Sequence, residues 1–165
     1  MVASIAISRR EMIAASAAAA TVVAAGCSGA VSRMAIAQLA DLTPWRPLFF
    51  SFPGDFPAIL LDTGRSVGGV GPNQSIVAYS AVCTHMGCTV QLDPSLQIEG
   101  HSTPSLVCPC HKSAFDPASL GAAIAGPATY GLPIVELEVS ARTIYAVGVR
   151  AGRPLFGTPL PDEGA

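Results

Sequence analysis

From Trp45 onward the apolar residues fall in short runs, alternating or β-branched, separated by Gly, Pro and Asp, and no 3.6-residue stripe of useful length interrupts them. This pattern predicts strands at Leu48–Phe52, Ala58–Asp62, Ser75–Ser80, Thr89–Leu92, Gln97–Glu99 and Ala122–Ala125. The clearest signal is a hairpin near the end. Val135, Leu137 and Val139 alternate with Glu136 and Glu138, a turn follows at Ser140-Ala141-Arg142, and Thr143–Val149 returns. A Val/Leu face opposite a Glu face suits a half-buried antiparallel strand. The segment Val67-Gly-Gly-Val-Gly-Pro-Asn73 is rich in glycine but lacks the Lys-Ser/Thr of a phosphate-binding loop and the strand and helix of a dinucleotide site, so it reads as a turn. The fold class is all-β, built on antiparallel strands, and there are no internal repeats.

The N-terminal part follows a different pattern. Ser8-Arg9-Arg10-Glu11-Met12-Ile13 places paired arginines directly before Met12–Ala25, an apolar run of 14 residues made mostly of Ala and Val. A transmembrane helix needs about 20 such residues. The pattern resembles a bacterial twin-arginine leader, with Met12 and Ile13 where Phe and Leu are commoner. That route carries folded proteins, so the chain would fold in the cytoplasm and work beyond the membrane. Three ends of the leader are open: cleavage near Ala37 after Ala35-Ile36-Ala37, which the sequence favours; lipidation of Cys27 in Ala24-Ala25-Gly26-Cys27; and an uncleaved anchor. The expected division is a leader over 1–37 and a folded domain over 38–165, placing the protein in the periplasm, with membrane attachment through the N-terminus if the leader is retained or lipidated.

Composition narrows the class further. In 165 residues, 50% are hydrophobic and 12% charged, which excludes a disordered chain. Sixteen Gly and 14 Pro favour many turns over a helical bundle. The length allows one core. Net charge is −2, and from Gln38 onward 6 Lys and Arg face 10 Asp and Glu, so no basic surface exists for nucleic acid.

Four of the five Cys and two of the three His fall in two short clusters, Cys83-Thr84-His85-Met86-Gly87-Cys88 and Cys108-Pro109-Cys110-His111-Lys112-Ser113, each bracketed by predicted strands. Two Cys and two His can form a closed zinc site, and four Cys can form two structural disulfides. Zinc sites, however, prefer Cys-x2-Cys and His-x3-His spacings. A paired Cys and His on each of two loops is the ligand set of a Rieske centre, where two thiolates hold one iron of a two-iron two-sulfur cluster and two imidazoles hold the other. His101 lies among Gly100, Ser102, Thr103 and Pro104 and reads as a residue of an exposed turn.

The motif therefore resembles the Rieske iron-sulfur family. The resemblance implies a Rieske-like fold of antiparallel sheets or a barrel, with a small cluster-binding subdomain over about 80–130. It also implies one [2Fe-2S] cluster, with Cys83 and Cys108 on the inner iron and His85 and His111 on the outer one. Cys88 and Cys110 stand where high-potential members of the family join their loops by a disulfide, a bond that export would permit. Ser113 is kept from the family pattern, whereas Phe115 replaces a Tyr whose hydroxyl donates to a ligand sulfur. Gly126-Pro127 is expected to cover a third side of the cluster. The 22 residues between His85 and Cys108 exceed the usual interval, and the insertion Asp93–Pro104 is expected to protrude.

Outside the cluster motif, Val67 to Cys88, Gly126-Pro-Ala-Thr-Tyr-Gly-Leu-Pro133, Ile144-Tyr-Ala-Val-Gly-Val149 and Leu155-Phe-Gly157 look like the small subunit of arsenite oxidase. This resemblance implies a heterodimer with a large molybdopterin subunit that oxidises arsenite, the Rieske chain passing electrons to a periplasmic cytochrome c or copper protein. Nothing in this chain could bind molybdopterin, so it would carry electrons without catalysing that oxidation. The alternatives are the Rieske subunit of a cytochrome bc complex, which the short leader run argues against, and a Rieske module without a redox partner.

Overall fold

The computed structural model describes residues 33–152, apart from 97 and 102. The twin-arginine motif, the apolar run, Cys27 and Leu155-Phe-Gly157 lie outside the described residues. Among the described residues, ten strands form two antiparallel sheets. The larger holds β1 (Met34–Gln38), β2 (Leu48–Ser51), β3 (Pro57–Asp62), β4 (Ile76–Ser80), β9 (Ile134–Ser140) and β10 (Thr143–Arg150), in the order β1-β10-β9-β4-β3-β2. The smaller follows the chain as β5 (Gln91–Asp93), β6 (Ser105–Val107), β7 (Ala114–Asp116) and β8 (Ala122–Ala125).

The apolar runs of β3 and β4 have a direct structural meaning. Ala58 and Leu60, with Ile76 and Ala78, face one core together with Phe52, Val135, Ile144 and Ala146. Ile59 and Leu61, with Val77 and Tyr79, face a second core against Leu106 and Phe115 of the small sheet. Strands covered on both faces need apolar side chains at every position, which produces an unbroken run instead of alternation. The second core also contains Cys83 and Cys108, so the small sheet is sealed onto the large one around the two thiols.

The predicted hairpin is present, with Ser140 opposite Thr143 and a two-residue turn at Ala141 (φ 47°) and Arg142 (φ 71°). Both residues occupy the left-handed region that such turns require. Elsewhere the structure departs from the sequence pattern. Thr89 makes only an isolated bridge to Val82, and the strand begins at Gln91. The candidate at 97–99 contributes a single bridge from Ile98 to His101. Strands β6 and β7 form from three-residue segments with no periodic signal of their own. Finally, Ala35-Ile36-Ala37, expected to end the leader, lies inside β1, so the folded domain begins ahead of Gln38.

The insertion Asp93–Pro104 has exposed residues at Pro94, Ser95, Glu99 and Gly100, but it does not stand free. Asp93 accepts bonds from Ser95 and from the Leu96 N–H, which turns the chain, and the return arm is held by β7. Thr103 Oγ1 donates to Asp116 Oδ1 at 3.1 Å, and His101 Nδ1 lies 3.5 Å from Asp116 Oδ2. His101 is therefore a half-buried partner of a buried carboxylate and not an exposed turn residue. Asp116 accepts in addition from the Ala118 N–H and the Ser119 hydroxyl, which accounts for a carboxylate at that depth.

Candidate metal centre

Both Cys/His clusters sit on loops that leave the core at the same end, one between β4 and β5 and the other between β6 and β7. The loops are built alike. In the first, the Cys83 N–H donates to the Cys88 carbonyl at 2.8 Å and the Gly87 N–H to the Cys83 carbonyl at 2.9 Å. In the second, the Cys108 N–H donates to the Ser113 carbonyl at 2.8 Å and the Lys112 N–H to the Cys108 carbonyl at 3.0 Å. Each loop closes on its own first cysteine with bonds five and four residues long, and each puts its fifth residue at positive φ, Gly87 at 79° and Lys112 at 60°. This repeated closure puts Cys83 and Cys108 in matching positions, with the histidine third in the first loop and fourth in the second.

The Cys83 and Cys108 thiols are free, almost fully buried and part of the same core. Burial pushes the Cys83 thiol up, and the Cys108 sulfur beside it adds to this against the backbone N–H groups of His85 and Met86. At Cys108 burial also raises the thiol, yet the Cys110 N–H, the bond from Cys83, the His111 N–H and the Lys112 charge together bring it below the ordinary value.

The imidazoles lie further out, His85 half-buried and His111 exposed, with ring centroids 4.8 Å apart and planes at 89°. Among the described residues, His85 Nδ1 is the one buried side-chain nitrogen or oxygen without a hydrogen-bond partner. A buried polar atom left unpaired is costly, and ligation to a metal removes that cost. Two buried thiols side by side, with two imidazoles beyond them and one ring nitrogen unpaired, fit the donor set of a cluster whose inner iron takes sulfur and whose outer iron takes nitrogen.

Cys88 and Cys110 are joined by a disulfide that ties the two loops together. Their sulfurs and that of Cys108 lie within 4.8 Å of one another, but the bonded pair has no thiolate to offer, so this trio is not a ligand set. A third loop, residues 126–131, covers the site. Gly126 (φ 81°) runs so close to the second loop that a Cβ would stand 2.6 Å from Ser113 Cα and 2.7 Å from the Lys112 carbonyl oxygen. The Ala128 N–H donates to the buried Ser113 Oγ at 3.1 Å, and Thr84 Oγ1 donates to the Tyr130 carbonyl at 2.6 Å. The third loop is therefore fastened to both cluster loops. Pro127 is exposed on it, while Phe115 is fully buried in the core that holds both thiols. Sequence reasoning missed Thr84, Lys112 and Tyr130. Lys112 was legible in principle, since it occupies in the second loop the place that Gly87 fills in the first.

A two-sheet β fold closing two Cys/His loops and a covering loop around one site defines an iron-sulfur electron-transfer domain. The chain belongs to the Rieske [2Fe-2S] domain family, whose description matches residues 34–136; the domain binds one such cluster. The soluble domain of the Rieske protein II (soxF) of Sulfolobus acidocaldarius superposes with a TM-score of 0.62 at 30% identity, over 82% of this chain and 86% of that one. The iodate reductase subunit IdrB of Denitromonas iodatirespirans is 38% identical over 117 residues, which is 70% of this chain and 61% of that protein. The Rieske iron-sulfur subunit of the cytochrome bc1 complex of Streptomyces lividans is 40% identical over 68 residues, covering 41% of this chain and 36% of that subunit. The chain thus spans about three fifths of the iodate reductase subunit's length. The last two are Rieske subunits of oxidoreductase complexes, which supports an electron-transfer role in an oxidoreductase for this chain. None of the three is an arsenite oxidase subunit, so the sequence resemblance is supported as far as the Rieske family and its oxidoreductase role.

Proposed function

We propose that this chain is the electron-carrying subunit of a two-subunit exported oxidoreductase, working in the periplasm between a large molybdopterin subunit and a cytochrome c or copper protein. Cys83, His85, Cys108 and His111 are the cluster ligands. When bound, the cluster supplies a one-electron couple, and imidazole ligation places such couples at about −150 to +300 mV. The chain's own residues divide the remaining work. The second core keeps water from Cys83 and Cys108, the Cys88–Cys110 disulfide and the third loop hold the ligand loops in place, and His85 and His111 form the side that faces a partner.

The observation that carries this reading is the one-sided exposure of the site. Both thiols are buried, whereas His111 is exposed and Met86, next to His85 in the chain, is 69% exposed. Exposed ligands beside an exposed apolar side chain suit a surface that another protein covers. Arsenite oxidation follows from the resemblance of Val67–Cys88 and Gly126–Pro133. A second reading, iodate reduction, is favoured by the 38% identity to the iodate reductase subunit, and electrons would then run toward the large subunit instead of away from it.

Purification of the full chain from its own bacterium, alone and with whatever large subunit accompanies it, tests the proposal. The expected result is a coloured protein with iron and sulfide in equal amounts, a Rieske-type paramagnetic signal on reduction, and co-elution with a molybdenum-containing subunit. The complex, and not the isolated chain, should oxidise arsenite with an oxidised acceptor or reduce iodate with a reduced dye. A colourless zinc protein would refute the ligand assignment. A chain found in a membrane complex that takes electrons from quinol would favour the cytochrome bc reading.

A further inference from the structure

Strand β1 contains all of Ala35-Ile36-Ala37, the tripeptide that in sequence looks like the end of a leader. Met34 stands opposite Ala146, Ala35 opposite Tyr145, Ala37 opposite Ile144 and Gln38 opposite Thr143, with a bulge between Ala35 and Ala37. The side chains of Met34, Ile36 and Ala37 pack on the core that holds Phe52, Leu60, Ile144 and Ala146. Both ends of the strand are fastened. Arg33 Nη2 donates to Glu138 Oε1 at 2.8 Å, and its guanidinium lies 3.6 Å from the centre of the Tyr145 ring. Gln38 Nε2 donates to Thr143 Oγ1 at 3.0 Å, and the Leu39 N–H donates to the Arg142 carbonyl at 2.9 Å.

A peptidase binds the residues around its scissile bond as an extended strand, so a chain already paired on both sides of that bond is not a substrate. Under the twin-arginine route the domain folds first, and β1 is paired with β10 before any periplasmic enzyme meets it. We propose that Ala35-Ile36-Ala37 is not a processing site, and that the exported protein keeps Arg33–Gln38 as the edge strand of its large sheet, with any trimming confined to residues upstream of Arg33. The order of events rests on the export reading above, whereas the protection of the strand rests on the fold alone. Cleavage after Ala37 would remove three side chains from one core and leave β10 as a bare edge, a template for pairing with another chain.

Two measurements on the full-length protein with its cluster test this separately. Pancreatic elastase cleaves after small residues such as alanine. Digestion followed by mass spectrometry should show no cut after Ala35 or Ala37 while the visible colour persists, and cuts at both once the protein is denatured. Cleavage at either bond in coloured protein overturns the proposal. Intact mass of the chain recovered from the periplasm or membranes of the producing bacterium should give an N-terminus at or before Arg33, whether at Met1 or at a lipidated Cys27. A coloured chain beginning at Gln38 overturns it. Recovery from the cytoplasm alone would sink the export reading, and the elastase result would then decide the fate of β1 unaided.

Discussion

Replacing Gly126 by alanine asks whether the third loop is clamped onto the second cluster loop. The new Cβ would meet Ser113 Cα at 2.6 Å, the Lys112 carbonyl oxygen at 2.7 Å and Ser113 N at 2.8 Å. All three are backbone atoms, so no side chain can swing aside. Reaching ordinary contact at 3.4 Å requires the segments to separate by 0.6–0.8 Å. The Ala128 N–H to Ser113 Oγ bond, 3.1 Å long and buried, spans the same gap and would break. Leaving those groups unpaired costs about 1–3 kcal/mol. The positive φ adds about 1–2 kcal/mol for an L-residue. The sum, about 2–5 kcal/mol, corresponds to a Tm lower by roughly 6–20 °C in a domain of this size. Gly68 is the control, with φ 77° and nothing within 4 Å of an added methyl, so Gly68→Ala carries the backbone cost alone. Calorimetry of both variants, with the rate at which each loses visible absorbance, separates the two effects. Equal Tm values and equal cluster loss would refute the clamp.

Other consequences are open to direct measurement. Replacing Cys88 and Cys110 together by serine removes a link between residues 22 apart in sequence and should cost about 3 kcal/mol by chain entropy, read in denaturant melts; an unchanged midpoint would show that the third loop alone holds the site. Phe115→Tyr should raise the cluster potential, because the ring shares a core with both thiols and a hydroxyl there can donate to a sulfur; voltammetry showing no change would place the ring in packing only. Arg142→Gly relieves a left-handed residue in the β9–β10 turn and should stabilise the domain by about 1 kcal/mol, with a lower Tm counting against the turn geometry. The Ser95 hydroxyl and N–H, with the Leu96 N–H, hold the Asp93 carboxyl below its usual range. Its contribution to stability is therefore complete above the unfolded carboxylate value and lost as pH falls through the lower folded value. A carbon-13 titration placing Asp93 at or above the usual value would contradict this.

Strands β3, β4, β9 and β10 were legible in the chain because burial leaves a mark on local composition, an unbroken apolar run where both faces are covered and alternation where one is. Strands β6 and β7 had no such mark. Three residues are too few to define a period, and Ala114-Phe115-Asp116 is held by neighbours that come from elsewhere, including Thr103 and His101 on the Asp116 carboxylate. Strand β1 was concealed for a different reason, since small residues before an apolar domain satisfy a peptidase pattern and a strand equally well. Tyr130 gave no signal, because its part in the site is played by its backbone carbonyl, which every residue has.

The sequence by itself determined the chemistry of this protein. The donor types on offer reside in side-chain identity and in spacing within a six-residue loop, both of which are local and survive without knowledge of the fold. Only the tertiary structure decided how that chemistry is housed: that Cys83 and Cys108 lie buried against each other, that the covering loop is tied to Thr84 and Ser113, that the insertion folds back on Asp116, and that the domain starts at a strand ahead of Gln38. Each of these depends on segments distant in the chain arriving at one place, and the free energy of such meetings belongs to pairs of segments and to neither one alone.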